Sequence, residues 1–197
     1  MGKGRQNALK RFGLSAAILA LTAALLLAFP LGADRALAQP QPRCAEAGRA
    51  PSETTLHFLR SSVLCLVNRA REHYGLASLQ FNPDLRDSAT GHSNDMVANH
   101  YFSHDAPNGS TFGGRVARSG YLARVNTYFI GENIGGGKGR SFGSPLAVYR
   151  AWMHSPPHRA NILDSEFHDF GVGVARGFPY GGGADAVTYT LDFGMRR

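Results

Sequence analysis

Eight histidines and one awkwardly placed acid are the residues of this chain best suited to chemistry. An imidazole loses its proton near pH about 6.5, so histidine can ligate a metal, pass a proton or hold a carboxylate under ordinary conditions. Two pairs, His100 with His104 and His154 with His158, have the i, i+4 spacing that turns both rings to one side of a helix, where they could share a zinc ion. Pro156-Pro157 interrupts the second pair, and the first falls where a helix should be fraying, so neither pair is expected to bind metal by itself. The acid is Glu132. It sits among glycines and apolar residues in a segment expected to be half buried, where a carboxylate needs a partner. His104, Glu132 and His158 come from three separate segments. Two imidazoles and a carboxylate brought together can hold Zn²⁺ with water in an open position, or act as an acid/base pair. With Asn133 and Asn161 beside them in sequence, the same groups could instead form a hydrogen-bond network pinning loops to a sheet.

The remaining histidines read more plainly. His57, His73 and His168 are expected at the surface or satisfied locally, and His92 shares a helical stripe with Leu85, Ala89 and Met96, which makes it a hydrogen-bonded core histidine. No H-E-x-x-H zinc helix occurs. The glycine-rich run at residues 131–139 is not a phosphate-binding loop, because Glu132 stands where its first glycine would be and Gly139 follows Lys138 in place of Ser or Thr.

The elements that must position these groups can be read from the apolar pattern. Leu56, Leu59, Val63, Leu66, Ala70 and Tyr74 step by 3 or 4, the period of an amphipathic helix, and Gly75 stops it. Asn82-Pro83 starts a second helix, as a cap followed by proline at the first helical position. A loop rich in glycine leads into a short third helix near residues 112–119. Residues 128–134 read as a short strand and 135–143 as a glycine-rich loop. Ser144-Pro145 opens another helix with Leu146, Tyr149 and Met153 on one side, closed by Pro156-Pro157. Residues 171–175 and 187–193, rich in Val, Thr and Tyr, read as strands. Helices first and strands last give an α+β order.

The N-terminus reads as an export segment. Residues 1–13 hold four cations and no acid, residues 14–29 carry no charge, and Pro30 and Ala36-Leu37-Ala38 supply a cleavage signature. Residues 1–38 are therefore expected to be a signal peptide, with an uncleaved membrane anchor over residues 14–33 as the competing reading. Residues 39–53, with three prolines up to Pro51, read as an arm, and 54–197 as one folded domain. The leading segment holds five cations against Asp34, so it accounts for +4 of the net charge of +7 and leaves +3. So mildly basic a domain gives no support to a nucleic-acid partner. In an oxidising compartment Cys44 and Cys65 are expected to pair.

Four separated stretches together carry a resemblance: Tyr101-Phe102-Ser103-His104, Gly131-Glu132-Asn133-Ile134, Ala151-Trp152-Met153 on to His158-Arg159-Ala160-Asn161-Ile162-Leu163, and Phe170-Gly171-Val172-Gly173-Val174. In this order they resemble the bacterial branch of the CAP superfamily, which groups cysteine-rich secretory, antigen 5 and pathogenesis-related 1 proteins and is also called SCP-like. The resemblance implies an α-β-α sandwich with a small, mostly antiparallel sheet between helical layers. It also implies a cleft in which His104, Glu132 and His158 match the family's first histidine, first acid and second histidine. The family's second acid is absent, since Met153, His154 and Ser155 follow Trp152.

The resemblance implies a secreted, monomeric binding module for a lipid, sterol or cell-envelope ligand. Its cleft would need no cofactor and would have at most a weak affinity for a divalent metal such as zinc through His104 and His158. A metal-assisted, protease-like hydrolase using the same cleft is the alternative.

Overall fold

The computed structural model describes residues 44–181 and 183–197. The proposed signal peptide and the first residues of the arm lie outside that range. Four strands form a single sheet in the order β1-β3-β4-β2, with β1 at Gln80–Phe81, β2 at Tyr128–Lys138, β3 at Asp169–Arg176 and β4 at Ala186–Arg196. The β3–β4 and β4–β2 ladders are antiparallel, and only the two-residue β1 runs parallel to β3. Helix α2 (Pro83–Ala98) covers one face of the sheet, while α1 (Leu56–His73), α5 (Pro145–His154) and α6 (Pro156–Leu163) cover the other. This is the α+β, α-β-α sandwich expected from the sequence. Two shorter helices, α3 (Phe112–Arg118) and α4 (Gly139–Gly143), flank β2 in the chain.

Local chemistry sets the helix ends. The side chain of Thr55 accepts a hydrogen bond from Phe58 N at the start of α1, Asn82 accepts from Asp84 N and Leu85 N at the start of α2, and Ser144 accepts from Ala147 N at the start of α5. Arg71 is 1% exposed, and its guanidinium donates to the carbonyls of Ala77, Ile162, Asp164 and Phe167, tying α1 to the turn between α6 and β3. The main core gathers Leu59, Val63, Trp152, Phe167, Phe170 and Phe193 between the sheet and α1, α5 and α6. The indole N–H of Trp152 donates to Ile134 O at 2.8 Å, locking α5 to β2.

On the other face α2 lies directly on β3. A Cβ at Gly171 would fall 2.1 Å from Arg86 N, and one at Gly173 2.1 Å from the carbonyl carbon of Ala89. Only glycine permits that approach, and it brings Ser88 and His92 of α2 down over the centre of the sheet.

Several sequence expectations need correction. The run 135–143 is not a loop: β2 continues to Lys138 and Gly139–Gly143 is α4. Extended backbone suits glycine when, as here, Val148, Trp152 and Phe142 leave no room for a Cβ on Gly135 and Gly137. Pro156 does not simply end a helix but opens α6, where its missing N–H costs nothing. Tyr74 is 49% exposed and outside the buried stripe of α1. Val148 and Trp152 form the buried side of α5, with Leu146, Tyr149 and Met153 half-buried beside them.

The described part of the arm is pinned. Cys44 is disulfide-bonded to Cys65 of α1, Ala47 O accepts from Leu146 N, and the Arg176 guanidinium donates to the carbonyls of Pro51 and Thr54. Among the described residues no helix is long and apolar enough to cross a membrane.

Candidate functional site

Glu132 organises the site. It is the fifth residue of β2, 6% exposed, at the edge of the sheet where α3 and the loop after α2 meet. His104 Nδ1 donates to Glu132 Oε1 at 2.8 Å, and Arg115 Nη2 from α3 donates to Glu132 Oε2 at 2.8 Å. The His104 side chain is 51% exposed while the carboxylate behind it is 1% exposed. The result is a solvent-facing imidazole anchored on a buried acid. The hydrogen bond to Glu132, more than the opposing effect of burial, holds the His104 ring above its ordinary pKa.

His158, on α6, makes no hydrogen bond to Glu132. It sits near enough to His104 to feel that ring's charge, and burial followed by this repulsion lowers its pKa. Asn133 and Asn161 connect the two sides of the strand. Asn133 Nδ2 donates to His158 O at 3.0 Å, and Asn161 Nδ2 donates to Asn133 Oδ1 at 2.8 Å and Glu132 O at 3.3 Å. They tie α6 to β2.

Three members of the site escaped the sequence reading. Arg115 lay unremarked in the short third helix; it is 9% exposed and its Nε finds no partner among the described residues. His92, correctly placed in the core, also belongs here: it is 0% exposed, its Nε2 donates to Ser103 O at 3.0 Å and stands 3.9 Å from Glu132 Oε1. Burial lowers its pKa, with the Glu132 charge opposing.

Asp192 is the third. It is directly paired with Glu132 across the β2–β4 ladder and is 0% exposed. Ser88 and Glu132 are its polar neighbours, yet neither Asp192 oxygen has a partner at full hydrogen-bond geometry among the described residues. Burial, reinforced by the Glu132 charge, pushes its carboxyl well above the usual carboxylate range. The surroundings of Asp192 thus favour the neutral form of its carboxyl. The signal was available: Asp192 interrupts the apolar run of Leu191 and Phe193 in a strand with no partner in view.

Neither helical histidine pair forms. His100, at φ 55, points its Nδ1 to Pro179 O at 3.0 Å, away from His104, and His154 Nδ1 donates to Arg150 O at 2.7 Å in its own helix. His57, His73 and His168 are exposed. Among the described residues no three His, Cys, Asp or Glu side chains converge as a set able to hold one ion.

Residues Gly139-Arg140-Ser141-Phe142-Gly143 spell the G-x-S-x-G of a nucleophile elbow. The structure does not give them that role. Ser141 is exposed in the five-residue α4 and hydrogen-bonds to no imidazole among the described residues, and the residue with positive φ is Gly139. In an elbow the serine itself occupies the strained turn.

The family model for cysteine-rich secretory proteins, CAP, matches residues 64–193. An uncharacterised Bacillus subtilis protein, YkwD, is 34% identical over 145 residues, covering 72% of this chain and 52% of its own. A solved extracellular SCP-domain protein from Bacillus anthracis matches with 30% identity and a TM-score of 0.55, covering 71% of this chain and 43% of that one. An outer surface protein of Borrelia burgdorferi shares the fold at 18% identity with a TM-score of 0.57, over 68% of this chain and 90% of its own. The chain spans about half the length of YkwD and less than half of the Bacillus anthracis protein.

Proposed function

Because this chain belongs to the cysteine-rich secretory protein (CAP) family, we propose that it works outside the cytoplasm as a binding module for a lipid or cell-envelope ligand and does not turn that ligand over. The observation that carries this reading is the state of Glu132. Both oxygens of its buried carboxylate are already held, one by His104 and one by Arg115. A general base or a metal ligand needs a lone pair open to solvent or substrate, and here the acid is 1% exposed and committed to holding α3 and the loop after α2 in place. The disulfide between Cys44 and Cys65, and the extracellular description of the Bacillus anthracis relative, support export.

The donor set suits zinc poorly. With Nδ1 of His104 spent on Glu132, the site offers His104 Nε2 and the His158 ring, whereas zinc sites take three or four protein ligands. A divalent ion would be held weakly there.

One observation favours the second reading, a hydrolase. An exposed imidazole oriented by a buried carboxylate has the base-and-orienter form of a hydrolytic site. Two assays separate the readings: mass spectrometry of lipids extracted from the purified protein, and hydrolysis of a peptide library by the native protein and by Glu132→Gln. Co-purified lipid with no cleavage supports binding. Cleavage lost in Glu132→Gln would replace that reading with the hydrolase.

A further inference from the structure

The strand order puts Glu132 at one edge of the sheet and β1 at the other. At that far edge β1 pairs only with Asp169 and Phe170, because Asn82-Pro83 opens α2 and carries the chain away. From Gly171 to Arg176, β3 therefore has β4 on one side and no strand on the other. Asn82 N donates to Phe170 O, so the even-numbered residues of β3 turn their N–H and C=O groups toward this edge. The next two, Val172 and Val174, are 5% and 1% exposed and find no backbone partner there among the described residues. Folded chains leave few buried backbone groups unpaired, and an open strand edge is a template for another strand.

A groove of about 780 Å³ lies along this edge, between α1 and the beginning of α2, with Phe170 and Val172 in its floor. Its walls alternate in character: Phe58 and Phe81 are apolar, while His57, Arg60 and Ser62 are polar. An extended peptide, whose successive side chains point to opposite sides, matches such mixed walls. Arg60 Nε is buried with no hydrogen-bond partner, and no carboxylate lies within ion-pair distance of the guanidinium among the described residues. The other charged groups of the walls are engaged, Arg86 with Asp87 at 2.7 Å and Glu46 with Arg49 at 3.4 Å. Arg60 is thus complementary to an incoming carboxylate. Residues 39–43, Gln-Pro-Gln-Pro-Arg, suit the place poorly, since their prolines lack the N–H that a ladder needs and they hold no acid.

We propose that this groove takes an extended acidic peptide segment of another protein, which adds a strand to β3 beside Val172 and Val174 and sets a carboxylate side chain on Arg60. Main-chain pairing supplies affinity, and the Arg60 contact together with the aromatic wall supplies selectivity. The site lies at the opposite edge of the sheet from Glu132 and is independent of the ligand proposed above.

The test is selection from a display library of short random peptides on the disulfide-bonded protein, followed by calorimetric titration of the selected peptide made synthetically. Selected sequences are expected to carry Asp or Glu among β-branched or aromatic residues and to avoid proline. The peptide should bind one per chain, and Arg60→Gln should weaken it about tenfold, the loss of one charge-assisted contact. Arg60 is partly in solvent, so this change does not open the core. Methylating alternate backbone nitrogens of the peptide should weaken binding about tenfold in one register and little in the other, because only every second N–H of an added strand faces β3. Tyr149→Ala, in the separate hollow between α1 and α5, should leave binding unchanged. Selection of no peptide, or of peptides without an acid, would overturn the inference. Binding intact in Arg60→Gln, or indifferent to the register of methylation, would overturn strand addition at this edge. A dimer seen by sedimentation and lost in Arg60→Gln, with no peptide selected, would replace the peptide by a second copy of this chain. The lipid-extraction and hydrolysis assays above are unaffected by any of these results, so the two readings can fail separately.

Discussion

Glu132 and Asp192 face each other as paired residues of adjacent antiparallel strands, 6% and 0% exposed, with the Arg115 guanidinium 2.8 Å from Glu132. Burial, reinforced by the Glu132 charge, pushes the Asp192 carboxyl well above its ordinary range. A carboxyl whose folded pKa is raised binds its proton more tightly in the folded state. Its contribution to stability is therefore complete below the unfolded value of 3.8 and is lost as pH rises through the folded value.

Asp192→Asn removes that loss. Thermal melts across pH should show the variant gaining on the native protein as pH rises from about 4 to neutrality. A constant difference across that range would mean that Asp192 titrates normally.

Arg115 neutralises Glu132, and removing one partner of a buried pair leaves the other charge stranded. Arg115→Met should cost about 3–5 kcal/mol in denaturant unfolding. The double change with Glu132→Gln should recover part of this, and the cycle should show a coupling energy clearly above additivity. Additive costs would mean that the two side chains act independently.

The close seating of α2 on β3 has its own test. Gly173→Ala would drive a Cβ to 2.1 Å from the Ala89 backbone and should destabilise by about 3 kcal/mol or more. Gly91, in the same helix, has nothing within 4 Å of its ideal Cβ, and Gly91→Ala should stabilise by about 0.5–1 kcal/mol. Equilibrium unfolding of the two variants measures both.

The Cys44–Cys65 bond closes a loop with a sequence separation of 21, worth about 3 kcal/mol by chain entropy. Reduction should lower the melting temperature by roughly 6–12 °C for a domain of this size. It should also raise hydrogen exchange first at residues 44–53. Unchanged stability on reduction would show that the other contacts of the arm suffice.

Much of this fold was legible because its signals are local. Asn82-Pro83 and Ser144-Pro145 mark helix starts by chemistry that acts within one turn, and the apolar stripe of α1 needs no tertiary information. The two-residue β1 was not legible, because its hydrogen bonds come from β3, some 90 residues away. The glycines of β2 looked like loop because their reason for being there is the bulk of Trp152 and Phe142 across the sheet. The site divides in the same way. His104 and Glu132 stood out by type and surroundings, and the disulfide by compartment, but Arg115 and Asp192 matter only through partners that the fold supplies.

The central claim is that the Glu132 carboxylate is committed to His104 and Arg115, in a cluster that is neither a tight metal centre nor a catalytic one. It is tested most directly by calorimetric titration of Zn²⁺ at about pH 5.5 and about pH 7.5, in the native protein and in His104→Ala and His158→Ala. The expected result is weak binding, stronger at the higher pH where more of the imidazole is neutral, reduced in both variants and accompanied by no peptide cleavage. Tight stoichiometric zinc, together with cleavage abolished by Glu132→Gln, would contradict the account.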